Sequence, residues 1–135
     1  MHPVQSPRTD DGAIEQEIVA KGLTAPRVTP KDIEANIASE HYFNAAHAVA
    51  YNDGGPTVVP PAPLGLLTFC VLVLNNGFTV VGKSACASPE NFDADVGRKV
   101  ARGDAVNQVW PLMGYALKQG LHDAAQSLAG TGACA

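Results

Sequence analysis

Cysteine is too sparse here to make a scaffold. The three thiols, Cys70, Cys86 and Cys134, form no CxxC pair and stand at no metal-ligand spacing from a histidine. His2, His41, His47 and His122 are scattered, so no metal site is expected. Cys70 and Cys86 read as small hydrophobes in a reducing compartment. Charge is scarce as well, at 16% of residues with a formal net charge of −4. That balance excludes bulk affinity for a nucleic-acid polymer, and any anion site must be a local gathering of positive charge. Long apolar runs are missing too. The longest, residues 64–74, is interrupted by Gly65, Thr68 and Cys70 and is far too short to span a membrane. The opening residues, with Pro3 and Pro7, lack the apolar core of a secretory signal. A soluble protein of the cytoplasm is the expectation.

Catalytic motifs are equally thin. GxSxG is absent, and Gly82-Lys83-Ser84 is a fragment of a phosphate loop without its glycine-rich lead. Asp93, Asp95 and Asp104 read as helix-surface charges, and His41 and His47 as ordinary surface or interface residues. The expectation is a binding protein that is not an enzyme and needs no cofactor.

What is present suits one α+β domain in 135 residues. Its expected parts are a flexible arm with a short helix over 1–27, the domain proper over 28–120, and a short helical extension with a disordered tail over 121–135. A helix is expected over 13–21, with Gly22 as its stop. Thr29-Pro30-Lys31-Asp32 then gives a hydroxyl cap, a proline at the first helical position and an acid at the third. Ile33, Ile37 and His41 would share one face of the helix it starts, fading over 40–48. Pro56, Pro60, Pro61 and Pro63 make residues 52–65 an extended connector.

Residues 66–74 and 78–84 read as an antiparallel hairpin turning at Asn76-Gly77. A two-residue loop would pair Val73 with Val80, Val71 with Gly82 and Phe69 with Ser84, and would set Cys70 opposite Lys83. The first strand is apolar on both faces, and a two-stranded hairpin alone is marginal, so a homo-oligomer is expected. Ser88-Pro89-Glu90 starts a long C-terminal helix, with Phe92, Val96, Val100 or Lys99, and Val106 toward the core. The helix should break or kink at Pro111 and end at Gly120.

Positive charge gathers in this helix at Arg98, Lys99 and Arg102. Arg98 and Arg102 are i,i+4, so two guanidinium forks can hold a phosphate or diphosphate. Lys83 would add charge, Asn91 an amide, and Phe69, Phe78 and Phe92 ring faces for stacking. The same run also reads as a solvated helix face, with Asp95 pairing Arg98 and Lys99.

Linked motifs point further. Residues 67–72, Asn76-Gly77-Phe78-Thr79-Val80, Gly82-Lys83-Ser84-Ala85-Cys86, Asn91-Phe92-Asp93, residues 97–102 and Val109-Trp110-Pro111-Leu112 together resemble a family of small tailed-phage proteins that includes Thoeris anti-defence protein one. The likeness covers residues 64–118. It implies a sponge for host immune signals: cyclic ADP-ribose isomers of Thoeris, and in some members cyclic oligonucleotides of CBASS, held intact by dimers or hexamers in the infected cell's cytoplasm. A direct inhibitor of a host protein is the other expectation, prompted by the net charge and the proline-rich connector.

Overall fold

A computed structural model describes residues 11–51 and 59–133, with side chains as far as 130. Residues 1–10 of the expected arm and 52–58 of the proline-rich connector lie outside the described residues. The rest of the connector does not stay extended to its end, because Ala62–Leu66 form a 3-10 turn that leads into the sheet. Helix α1, Asp11–Ala20, ends at Gly22, whose φ of +67° only glycine adopts without strain. Nothing on α1 is buried. It is held to the body by polar contacts, Glu15 gripping Arg27 through both oxygens and Asp11 accepting from the Trp110 indole at 3.2 Å. Helix α2, Pro30–Ala35, has the capping box its sequence promised: the Asp32 amide donates to Thr29 Oγ1 at 3.1 Å, and the Thr29 amide to Asp32 Oδ2 at 2.9 Å.

The helix expected to continue through Ile37 and His41 stops at Asn36 instead. Residues Ile37–Asn44 form strand β1, followed by the short helix α3, Ala45–Ala50. Ile33 and Ile37 are spaced like helix neighbours, but Ile37 pairs across a sheet with Leu74. Along the strand Glu40, Tyr42 and Asn44 turn to one face while Ser39, His41 and Phe43 turn to the other, opposite Leu72, Cys70 and Thr68 and opposite Val73, Val71 and Phe69. Period-two alternation with a long-range partner overrode the local i,i+4 pattern.

Strands β2, Leu67–Leu74, and β3, Thr79–Ala85, complete an antiparallel sheet in the order β1-β2-β3. The hairpin is where expected, but its register differs by one residue. Phe69 faces Lys83, Cys70 faces Gly82, Val71 faces Val81 and Leu72 faces Val80. The loop has three residues: the Gly77 amide donates to Leu74 O and the Leu74 amide to Phe78 O, both at 2.8 Å, with Gly77 at φ +88°. This is a turn closed by a glycine bulge. A one-residue slip moves every side chain to the other face. The observed register puts Thr68, Cys70, Leu72 and Leu74 with Val80, Gly82 and Ser84 on one buried face.

That face is covered by α4, Ala94–Ala133. The expected start at Ser88-Pro89 yields only a single 3-10 turn, Pro89–Asn91, after which Phe92 is extended. Asp93 is the working cap, its Oδ1 accepting from the amides of Asp95 and Val96 at 2.9 and 3.0 Å. The core stripe is Gly97, Ala101, Ala105 and Val109, while Phe92, Val96, Val100 and Val106 flank it half-buried and Lys99 is exposed. Small residues win this face because the helix lies almost on the strand. A Cβ on Gly82 would sit 2.0 Å from the Ala101 carbonyl oxygen and 2.4 Å from the Ala105 nitrogen. The helix passes unbroken through Pro111 and beyond Gly120. At about 1.5 Å per residue its 40 residues span roughly 60 Å, and its outer half, with Tyr115, Leu121 and Leu128, is exposed.

The sheet's other face has no cover among the described residues. Phe43, Phe69, Val71, Val73 and Val81 lie there, with Phe43 at 42% and Val81 at 48% exposure. The Phe43 and Phe69 rings stack with centroids 5.2 Å apart. No described helix is long and apolar enough to cross a membrane.

Candidate functional site

A hollow of about 380 Å³ opens between the end of β1 and the start of α4. Tyr42, Phe43 and Asn44 come from β1, Ala46 and His47 from α3, Gly65 and Thr68 from the entry to β2, and Phe92, Ala94 and Arg98 from the lead and first turns of α4. Asn44 builds the corner: its Oδ1 caps α3 by accepting from the Ala46 amide at 2.9 Å, and its Nδ2 donates to Gly65 O at 2.8 Å. Thr68 is buried against Gly97, where an added Cβ would come within 3.0 Å of its hydroxyl oxygen. Helix and strand thus meet closely at the floor, and the walls diverge above it.

Two arginines, one turn apart on α4, meet different fates. Arg98 lines the hollow and has, among the described residues, one carboxylate contact, Asp95 Oδ1 at 3.3 Å, with both side chains near half-exposed or more. An exposed i,i+3 pair of this kind is worth little, so the guanidinium is readily recruited by a stronger anion. Arg102 is spoken for. Its Nε donates to Glu40 at 2.9 Å, and an Nη donates to both oxygens of Glu34 at 2.8 and 3.1 Å. These bonds raise the pKa of Arg102 and hold Glu40 below the ordinary carboxylate range, the Arg102 hydrogen bond being the largest cause. The Tyr42 hydroxyl donates to Glu40 at 3.1 Å, and burial first, then this bond, push its pKa up to about 12. Burial likewise raises Cys70, the cross-strand neighbour of Tyr42.

Of the residues singled out in the sequence, Arg98 and Phe92 meet in the hollow. Arg102 lies one turn beyond, in its carboxylate clamp. Lys99 points outward, 77% exposed and 3.5 Å from Asp95. Asn91 ends the 3-10 turn and is exposed, and Phe78 stands exposed at the hairpin. Phe69 and Lys83 are cross-strand neighbours on the uncovered sheet face. Tyr42, Phe43, Asn44, His47 and Thr68 were not anticipated as site residues. The signal for Tyr42, Phe43 and Asn44 is the alternation of residues 37–44, which a helical reading conceals; His47 and Thr68 carry no local signal. Among the described residues no cluster of three or more His, Cys, Asp or Glu side chains could hold a metal ion.

A family model described as the phage protein (N4 Gp49/phage Sf6 gene 66) family matches residues 28–121. That span runs from the cap of α2 past Pro111 and includes every residue of the hollow. No curated protein and no solved structure matches the chain. With most of its length covered by that one model, the chain belongs to the N4 Gp49/phage Sf6 gene 66 family of phage proteins.

Proposed function

We propose that this phage protein sequesters nucleotide immune signals of the infected host, cyclic ADP-ribose isomers of Thoeris first and cyclic oligonucleotides of CBASS as a related class, without degrading them. The observation that carries the reading is the hollow, which brings a guanidinium with one weak partner, Arg98, beside the aromatic side chains of Tyr42, Phe43 and Phe92. Phosphates need the fork, a purine needs a ring face, and ribose hydroxyls need nearby polar groups such as His47 and Thr68. Removing a signal requires only tight binding by protein in excess of it, so no catalytic set is invoked. The place of action is the host cytoplasm, where these signals are made.

The same reading includes self-association. The uncovered sheet face and the exposed outer half of α4 are both apolar surfaces on one chain, and a second copy would cover them. A direct inhibitor of a host protein uses those same surfaces, and light scattering separates the two: a stable oligomer of the purified protein supports the first, a monomer the second. Calorimetry with a cyclic ADP-ribose isomer tests the ligand reading. Binding followed by recovery of intact ligand after heating supports it. Absence of binding to cyclic ADP-ribose isomers and cyclic oligonucleotides alike overturns it, and breakdown products would make the protein an enzyme.

A further inference from the structure

Arg102 has no place in the hollow, yet it joins the two walls that make it. α4, which carries Arg98, packs on β3 and β2 and scarcely meets β1. β1, which supplies Tyr42, Phe43 and Asn44, is an edge strand held in the sheet, among the described residues, by β2. Among the described residues the polar side-chain link between α4 and β1 is the bond from Arg102 Nε to Glu40, at 2.9 Å. The other arm of the fork grips Glu34 in α2, just before the Asn36 corner that leads into β1. Glu40 in turn accepts from the Tyr42 hydroxyl at 3.1 Å. The chain Glu34–Arg102–Glu40–Tyr42 therefore runs from α2 through α4 to the wall of the hollow.

We propose that Arg102 is a positioning residue, which sets the separation between Arg98 and the β1 wall by clamping Glu40 and Glu34. A guanidinium suits this because its planar fork reaches both carboxylates at once, which a single ammonium does not. Without it Glu34 of α2 and Glu40 of β1 face each other with no cation between them, their repulsion pushes β1 from α2, and β1 loses its polar tie to α4. The anchor and the ligand arginine are four residues apart on one helix, so displacement at Glu40 is felt at the mouth of the hollow.

The proposal rests on the reading of the hollow as a nucleotide site, and the test separates the two. Arg102→Met and the milder Arg102→Lys are compared with the unaltered protein in binding cyclic ADP-ribose and adenosine, alongside amide hydrogen exchange. A positioning role weakens both probes by a similar factor, roughly tenfold for Arg102→Met, equivalent to about 1.4 kcal/mol. It also speeds exchange at residues 42–44 while leaving β3 unchanged. Loss confined to cyclic ADP-ribose would mean that Arg102 holds phosphate directly, and would overturn the proposal. So would unchanged exchange at residues 42–44, whatever the ligands do. If the unaltered protein binds neither probe, the nucleotide reading falls, and the exchange measurement alone decides whether Arg102 holds the wall.

Discussion

The two faces of the sheet are made by the same three strands and have opposite characters. The face under α4 is lined with Thr68, Cys70, Leu72, Val80 and Gly82, pressed against a helix stripe of glycine and alanine. The other carries two phenylalanines, Phe43 and Phe69, with Val71 and Val81, and leaves them half-buried or exposed. Size alone would put the phenylalanines in the core. What decides is how close the covering helix comes: at Gly82 it leaves no room for a methyl group, so glycine stands at that contact and Leu72 and Leu74 pack elsewhere on the same face. Bulk is left for the side that no described residue covers.

Gly82→Val should break this contrast most severely. Its side chain would meet helix backbone, which cannot swing aside, so α4 must lift from β3. A loss of at least about 3 kcal/mol, or failure to fold, is expected in urea unfolding. Leu72→Ala on the covered face should cost about 2–5 kcal/mol, because Leu72 is fully buried there. Its neighbour Val71→Ala should cost the isolated chain less than about 1 kcal/mol. Equal losses at these adjacent positions would mean that both faces are equally covered. Thr29→Ala removes the α2 cap and should cost about 1 kcal/mol, read in the same way.

A proton titration probes the strand edge. Arg102 lowers the pKa of Glu40 in the folded protein, so Glu40 stabilises the fold when ionised. That contribution is fully present above the unfolded value of about 4.3 and is lost as pH falls through the lower folded value. The stability gap between the unaltered protein and Glu40→Gln should therefore stay constant above about pH 5 and shrink below about pH 4. A gap that widens on acidification would reverse the sign of the interaction. At 40% exposure of the Glu40 side chain the effect is small, the least of those predicted here.

Much of the fold was legible where the signal is local. Thr29-Pro30-x-Asp32 specifies a capped helix by itself, and Asn76-Gly77 marks a hairpin because few residues accept positive φ. What was not legible is non-local. Whether residues 37–44 are strand or helix depends on the edge that β2 offers, and the hairpin register depends on which residues α4 presses upon. Of the break or kink expected at Pro111 the break does not occur: the ring stands at the exposed surface of a helix whose inner half packs on the sheet. The site divides likewise. Arg98 and Phe92 could be picked out by charge and chemistry, but the clamp on Arg102 joins positions 62 and 68 residues apart, and no local spacing announces it.

The most direct test of the hollow as a signal-binding site is calorimetry of the unaltered protein and Arg98→Met with a cyclic ADP-ribose isomer, followed by heating and analysis of the released ligand. Binding by the unaltered protein, release of intact ligand, and at least tenfold weaker binding by a variant of unchanged melting temperature are the predicted result, about 1.4 kcal/mol or more. Equal affinity in the two proteins, or release of a hydrolysed product, would contradict it.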